Sequence, residues 1–212
     1  MISSGYECSG FSLLGAVRFN DQMAGADLPR DLRRDALRNH EELVRAATAA
    51  VHREGLRVPM ATIAADAGVG VGTLYRHFPS RDDLLSHLTH RSFEQVLANA
   101  RAAESEGTTP IECLRLFIEA AISQRNELVL PLHGGPSITS PATVAIRDDV
   151  HAILRRIIDQ GIDEATLRPD ITPHDMIVFG AMLAQPRPPD PDWDATCRRL
   201  LATYLRGSGP GP

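Results

Sequence analysis

The stretch from Val58 to Phe78, VPMATIAADAGVGVGTLYRHF, allows few folds. Pro59 suits the first turn of a helix, where its missing N–H would have no partner anyway. Ile63, Ala64 and Ala67 give that helix an apolar face, and Gly68 ends it. A tight turn follows. Leu74 and Phe78, four residues apart, then turn one side of a second short helix inward. Two short helices joined through a glycine pack at a steep angle, the anatomy of a helix-turn-helix. Gly68-Val69-Gly70-Val71-Gly72 is glycine-rich but does not match GxGxxG, and it follows a helix rather than a strand. It reads as the turn, not as a dinucleotide site.

The rest of the chain reads as further helices. Leu43, Ala47, Ala50 and Val51 share one face of a first helix from about Asp31 to Arg53, stopped by Gly55. Ser80 and Asp83 form a capping-box pattern that opens a fourth helix. Leu84, Leu85 and Leu88 face inward there, and the helix runs through Phe93 and Val96 towards a break at Glu104–Thr109. Thr109-Pro110-Ile111-Glu112 is a second capping box, ahead of Leu114, Phe117, Ile118 and Ala121. Pro131, Gly134, Gly135 and Pro136 make Leu128–Thr139 a loop or a broken helix. Ser140-Pro141 starts a long helix ending at Gly161. Thr172-Pro173 and Asp190-Pro191 start the last two, the second closed by Gly207. The expected fold class is all-α, a three-helix N-terminal head followed by a larger helical C-terminal domain. The expected divisions are a flexible arm over 1–30, a head over 31–90, a helical domain over 91–206 and a disordered tail over 207–212. Met23 is a second candidate start.

Composition removes several functions. All 22 basic residues are Arg, so a Walker-type phosphate loop and Schiff-base chemistry are both excluded. No Gly-x-Ser-x-Gly is present, so His133-Gly134-Gly135 has no nucleophile elbow to serve and no catalytic residue is assigned. Cys8, Cys113 and Cys197 are scattered and odd in number, which points to a reducing cytoplasm rather than a disulfide framework. No apolar run reaches the roughly 18 residues of a membrane span, and the first 30 residues make a poor signal peptide. The net charge of −5 is unevenly spread. Arg30 to Arg91 holds ten Arg against eight Asp and Glu, and the remainder twelve Arg against nineteen acidic residues. The helix-turn-helix therefore lies in the basic part of an acidic chain, leaving that face usable for nucleic acid.

Ile63-Ala64, Ala67-Gly68-Val69, Gly72-Thr73-Leu74-Tyr75-Arg76-His77-Phe78 and Ser80-Arg81-Asp82-Asp83-Leu84-Leu85 together resemble the head of TetR-family regulators, over about Arg34 to Leu88. The resemblance implies a DNA-binding transcriptional regulator, not an enzyme, with double-stranded operator DNA as partner. It implies DNA contacts at Thr73, Tyr75 and His77, with Val71 and Gly72 slim enough for the major groove and Arg81 on the phosphate backbone. Met60 and Ala61 match positions where the family often places Thr or Arg. Both are non-polar here, which suggests fewer direct base hydrogen bonds. The resemblance further implies a homodimer through the last two helices, Pro173–Ala184 and Pro191–Arg206. Such a dimer sets two recognition helices about 34–36 Å apart.

Leu130-Pro131-Leu132-His133-Gly134-Gly135-Pro136 and Phe179 to Pro186 resemble the SbtR-like subgroup of that family. Bodies of this kind imply a small apolar or amphipathic effector and release from DNA when it binds. Candidate pocket residues are Phe117, Ala121, His133, Val150, His151, Val178 and Met182. No cofactor and no metal site is expected. A metal-responsive regulator using Asp83, His87 and His90 is one alternative, and a helical enzyme or scaffold another.

Overall fold

The computed structural model describes residues 30–188 and 190–209, which form eight α-helices and one 3-10 turn with no strand among them. The expected arm lies outside the described residues, apart from Arg30. The chain divides into two compact units, 1–39 and 40–212. Of the first, only the opening turns of a helix are described. The head and the body both belong to the second.

Helix α1 spans Arg30–Glu54, α2 Met60–Asp66, α3 Val71–His77 and α4 Arg81–Glu106. The head core gathers Leu43, Val44, Ala47, Ala50 and Val51 of α1 with Met60, Ile63 and Ala64 of α2. It adds Leu74 of α3, Phe78, and Leu84, Leu85 and Leu88 of α4. α4 opens on Ser80, whose hydroxyl accepts from Asp83 N and donates to Asp83 Oδ2. Further along, α4 turns Leu97, Ala100 and Ala103 into a second core. At 26 residues this helix is about 39 Å long and serves both cores.

The body adds α5 (Pro110–Ser123), the 3-10 turn Pro131–His133, α6 (Pro141–Asp163), α7 (Pro173–Leu183) and α8 (Pro191–Gly207). α5 is central, packing on α4, α6, α7 and α8. Its Leu114, Ile118 and Ile122 are fully buried against Leu154 and Ile158 of α6, Met176 of α7 and Cys197 and Leu201 of α8. Burying that much apolar surface is the main stabilising force for these helices. The starts of α5, α7 and α8 are capped by side chains, whereas Ser140 at α6 makes no cap hydrogen bond. Thr172 and Asp175 make a complete capping box at α7, and Asp190 accepts from two backbone N–H groups at α8. None of the described helices is long and apolar enough to cross a membrane.

Two expected stops fall elsewhere. Gly161 lies inside α6, which continues to Asp163. A Cβ at Gly161 would stand 2.5 Å from Leu167 Cδ1, so this glycine clears room for the returning chain. The tail expected from Gly207 is placed through Gly209. Ser208 is buried, and its carbonyl accepts from Arg168 N at 2.9 Å. Residues 210–212 lie outside the described residues.

Candidate nucleic-acid interface

The turn between α2 and α3 is built by backbone alone. Gly68 has φ +66°, a conformation that costs an L side chain strain. In it, Gly68 N reaches Ala65 O at 3.0 Å and Val69 N reaches Ala64 O at 2.9 Å. The last carbonyls of α2 are thus satisfied and the chain reverses. Gly70 then caps α3 in extended conformation, its carbonyl accepting from Thr73 N and Leu74 N.

α3 is held by one side. Leu74 is fully buried, and Phe78 beyond the helix end is 5% exposed. Around that anchor Val71 (39%), Tyr75 (47%), Gly72, Arg76 and His77 are exposed, and Thr73 is half-buried. Arg81 is exposed at the start of α4, and Ala61 is exposed on α2. Met60 differs from the expectation. At 6% exposure it belongs to the head core, because an apolar side chain at the start of α2 gains more by packing inward with Ile63 than by facing solvent. The sequence-assigned residues Val71, Gly72, Thr73, Tyr75 and His77 thus share α3, with Arg81 beginning the next helix.

Three imidazoles meet behind this surface. His40 of α1 lies 5.7 Å from His77 and 5.3 Å from His87 of α4, ring centroid to centroid, and Phe78 lies 5.2 Å from His87. His40 carried no local sequence signal, since the cluster exists only once three helices have packed. Burial, with His40, Arg91 and His90 adding repulsion, pushes His87 down to about 4. Burial, then His77 and Arg91, also lowers His40 against the pull of Glu41. Both are therefore neutral in the folded head at pH 7, whereas the unfolded chain takes up protons near pH 6.5. The unfolded state then binds more protons below that pH, so stability is complete above about 6.5 and falls on acidification. The expected result is a melting temperature that drops between pH 6.5 and 5, where the lowered carboxylates of Glu112, Asp170 and Asp175 are still ionised. His87→Gln should flatten that drop. An equally steep drop in the variant would remove His87 as its source.

No three His, Cys, Asp or Glu side chains among the described residues are placed to hold a metal. His90 instead has Nδ1 2.8 Å from Thr143 Oγ1 of α6.

The seven pocket candidates fall in different environments. Phe117 and Val150 are buried in the body core and Ala121 packs against it. Val178 is half-buried, and Met182 is 63% exposed. His151 opens on a surface depression of about 730 Å³ along α6, beside Arg147 and Arg155. His133 is half-buried, with Nε2 3.1 Å from the Ala181 carbonyl of α7. The loop before it ties the body to the head. Val129 N donates to Ser92 Oγ of α4 at 2.8 Å, and the Val129 side chain is buried in the head core.

Residues 43–88 match the family described as bacterial regulatory proteins, tetR family. Over those residues the head is similar to that family. Over 103 residues the chain is 35% identical to the HTH-type transcriptional repressor KstR of Mycolicibacterium smegmatis, covering 47% of this chain and 50% of that protein. The chain thus spans about half the length of the curated relatives it matches. Two solved structures share the fold over most of the chain. The ketosteroid transcriptional regulator KstR2 of Mycobacterium tuberculosis superposes with a TM-score of 0.64 at 23% identity, covering 82% of this chain and 96% of that one. The transcriptional regulator FadR of Bacillus subtilis in complex with stearoyl-CoA gives 0.62 at 18%, covering 82% and 99%. The chain therefore shares the fold of these two structures over 82% of its length.

Proposed function

We propose that this chain is a cytoplasmic TetR-family transcriptional regulator, a repressor that binds operator DNA as a homodimer and releases it when a small molecule enters the body. The observation that carries the reading is the face of α3. Five exposed positions surround a single buried anchor, on a helix slim enough for the major groove. Tyr75 and Thr73 hydroxyls and the His77 ring are donors for phosphate oxygens, and Val71 and the Thr73 methyl suit thymine methyls. Arg81 adds a phosphate contact where α4 begins.

The dimer is proposed through α7 and α8. Met182 and Leu200 are large apolar side chains left exposed on these two helices, and a two-fold pairing would cover them. In this reading the head spans 31–90, the body 91–206, and the SbtR-like segments 130–136 and 179–186 belong to the body. An effector of apolar or amphipathic character is proposed to enter beside the body core to which Phe117, Ala121 and Val150 contribute, with Val178 as a further candidate contact. The named neighbours, one a ketosteroid regulator and the other holding stearoyl-CoA, lend that class support. The loop 128–135, bonded to α4 and α7 and packed into the head core through Val129, is the element through which a shift of the body reaches the head.

The test is fluorescence anisotropy with DNA from upstream of the protein's own gene, in a salt series against unrelated DNA. Wild type is expected to prefer that DNA, with affinity falling as salt rises. Tyr75→Ala should weaken the preferred site about tenfold or more. Wild type that shows no preference, even after selection from random DNA, would remove the reading.

A further inference from the structure

The outward pole of α3 is formed by Gly72 and Arg76. A helix turns 100° per residue, so these two, four apart, lie on one line opposite buried Leu74. Thr73 and His77 flank that line on one side, and Val71 and Tyr75 on the other. Gly72 has no internal reason to be glycine. Its φ is not in the left-handed region, and a Cβ built on it meets nothing within 4 Å. Glycine in a helix is destabilising relative to alanine. A bare position kept where the protein itself leaves open space fits close approach by something from outside.

The next side chain along that line is Arg76. It is exposed, in the last turn of α3, and among the described residues it has no ion-pair partner. Several other arginines are held by carboxylates: Arg53 by Glu54 and Asp66, Arg115 by Glu112 and Glu119, Arg156 by Glu104. The carboxylate of Asp83, just beyond α3, is occupied by the Ser80 hydroxyl. A free guanidinium at the pole of a recognition helix, rather than at its rim, points at base edges rather than at the phosphates. Its fork of donors matches the N7 and O6 acceptors that guanine alone presents together in the major groove.

We infer that Arg76 is a specificity-determining residue that reads a guanine, once in each half of the DNA site, across the approach that Gly72 leaves open. The inference rests on the proposed role of α3 as a recognition helix.

The test is selection from a randomised duplex pool with the full chain as wild type, Arg76→Ala and Arg76→Lys, followed by affinity and salt dependence on the selected site. Wild type should enrich a G·C pair at one position per half-site. Arg76→Ala should lose the preference at that position alone and keep the rest of the consensus. Its affinity for the wild-type site should fall about 10- to 100-fold, and on a site with that G·C pair replaced it should match wild type. Gly72→Ala should keep the helical circular-dichroism signal and weaken binding to the same site. Three results overturn the inference. An Arg76→Ala consensus identical to wild type removes base reading. Equal weakening on every sequence, with a shallower salt slope, makes Arg76 a phosphate contact. Wild type that enriches nothing, with Tyr75→Ala no different, takes the recognition-helix reading down first and this inference with it.

Discussion

Leu74→Ala is expected to destabilise the head by about 3 kcal/mol and to abolish sequence-selective DNA binding. α3 has only seven residues, and Leu74 is its one buried side chain. A helix of that length has no stability of its own in water, so tertiary packing of its apolar side holds it. Truncating a leucine with no exposed surface, inside a cluster with Ile63, Ala64, Leu84 and Leu88, removes packing and leaves a cavity that the short helix cannot collapse to fill. The chain supplies a way to localise the loss, because its single tryptophan, Trp193, packs against the body core. Urea unfolding followed by far-ultraviolet circular dichroism reads both cores, and tryptophan fluorescence reads the body. The variant should shift the first transition while the second moves by less than about 0.5 kcal/mol, as distant independent sites do. Equal shifts in both would mean that the two cores unfold as one unit. A loss below about 1 kcal/mol with DNA affinity intact would mean that α3 is not held by its buried side.

Helix starts were legible because their causes are local. Thr109, Thr172 and Asp190 each accept a backbone hydrogen bond within three residues, and each is followed by Pro at the first helical position. Even here partners shift by one residue. Pro59 caps α2 rather than beginning it, and Glu112 closes on Thr108 N rather than on Thr109. Helix ends were less legible, because some are decided from far away. Gly161 reads as a stop by propensity, yet α6 runs past it since Leu167 packs into the space it leaves. Ser208 reads as tail, yet it is held by Arg168 forty residues earlier in the chain.

The exposed side of α3 was legible for a similar reason. On a seven-residue helix, locating Leu74 as the anchor assigns every other position a direction. Met60 escaped that logic because the first residue of a helix can face either way, and the choice is made by Ile63 and the rest of the core. In the body, apolar residues at helical spacing do not distinguish a cavity wall from solid core or an outer face. Phe117 and Val150 went inward and Met182 outward, although all three share one kind of sequence signal. His40 and Val129 carried none. One depends on three helices meeting, and the other on a loop folding back onto the head.

Arg125→Ala is expected to destabilise the body by about 2–4 kcal/mol, the second large effect. Arg125 follows α5 and is 5% exposed, with Nη2 2.7 Å from Asp194 Oδ1 of α8 and Nη1 donating to the Ile122 carbonyl at 3.0 Å. It joins the end of the central helix to the start of the last one. Around it, Arg187 lies over the Trp193 ring at 4.2 Å, and Arg187 N donates to Asn126 Oδ1. Removing the guanidinium leaves the Asp194 carboxylate, itself 31% exposed, beside apolar core without its counter-charge. That partial exposure puts the effect below the value for a fully buried pair. Removing both charges should cost less than removing one, because an apolar pair has no desolvation penalty to offset. The combination Arg125→Met with Asp194→Leu should therefore recover part of the loss, and the Trp193 fluorescence transition in urea should follow the same order. If the double variant is as unstable as Arg125→Ala, the alkyl stem and the Ile122 contact of Arg125 hold the junction, and the ion pair does not.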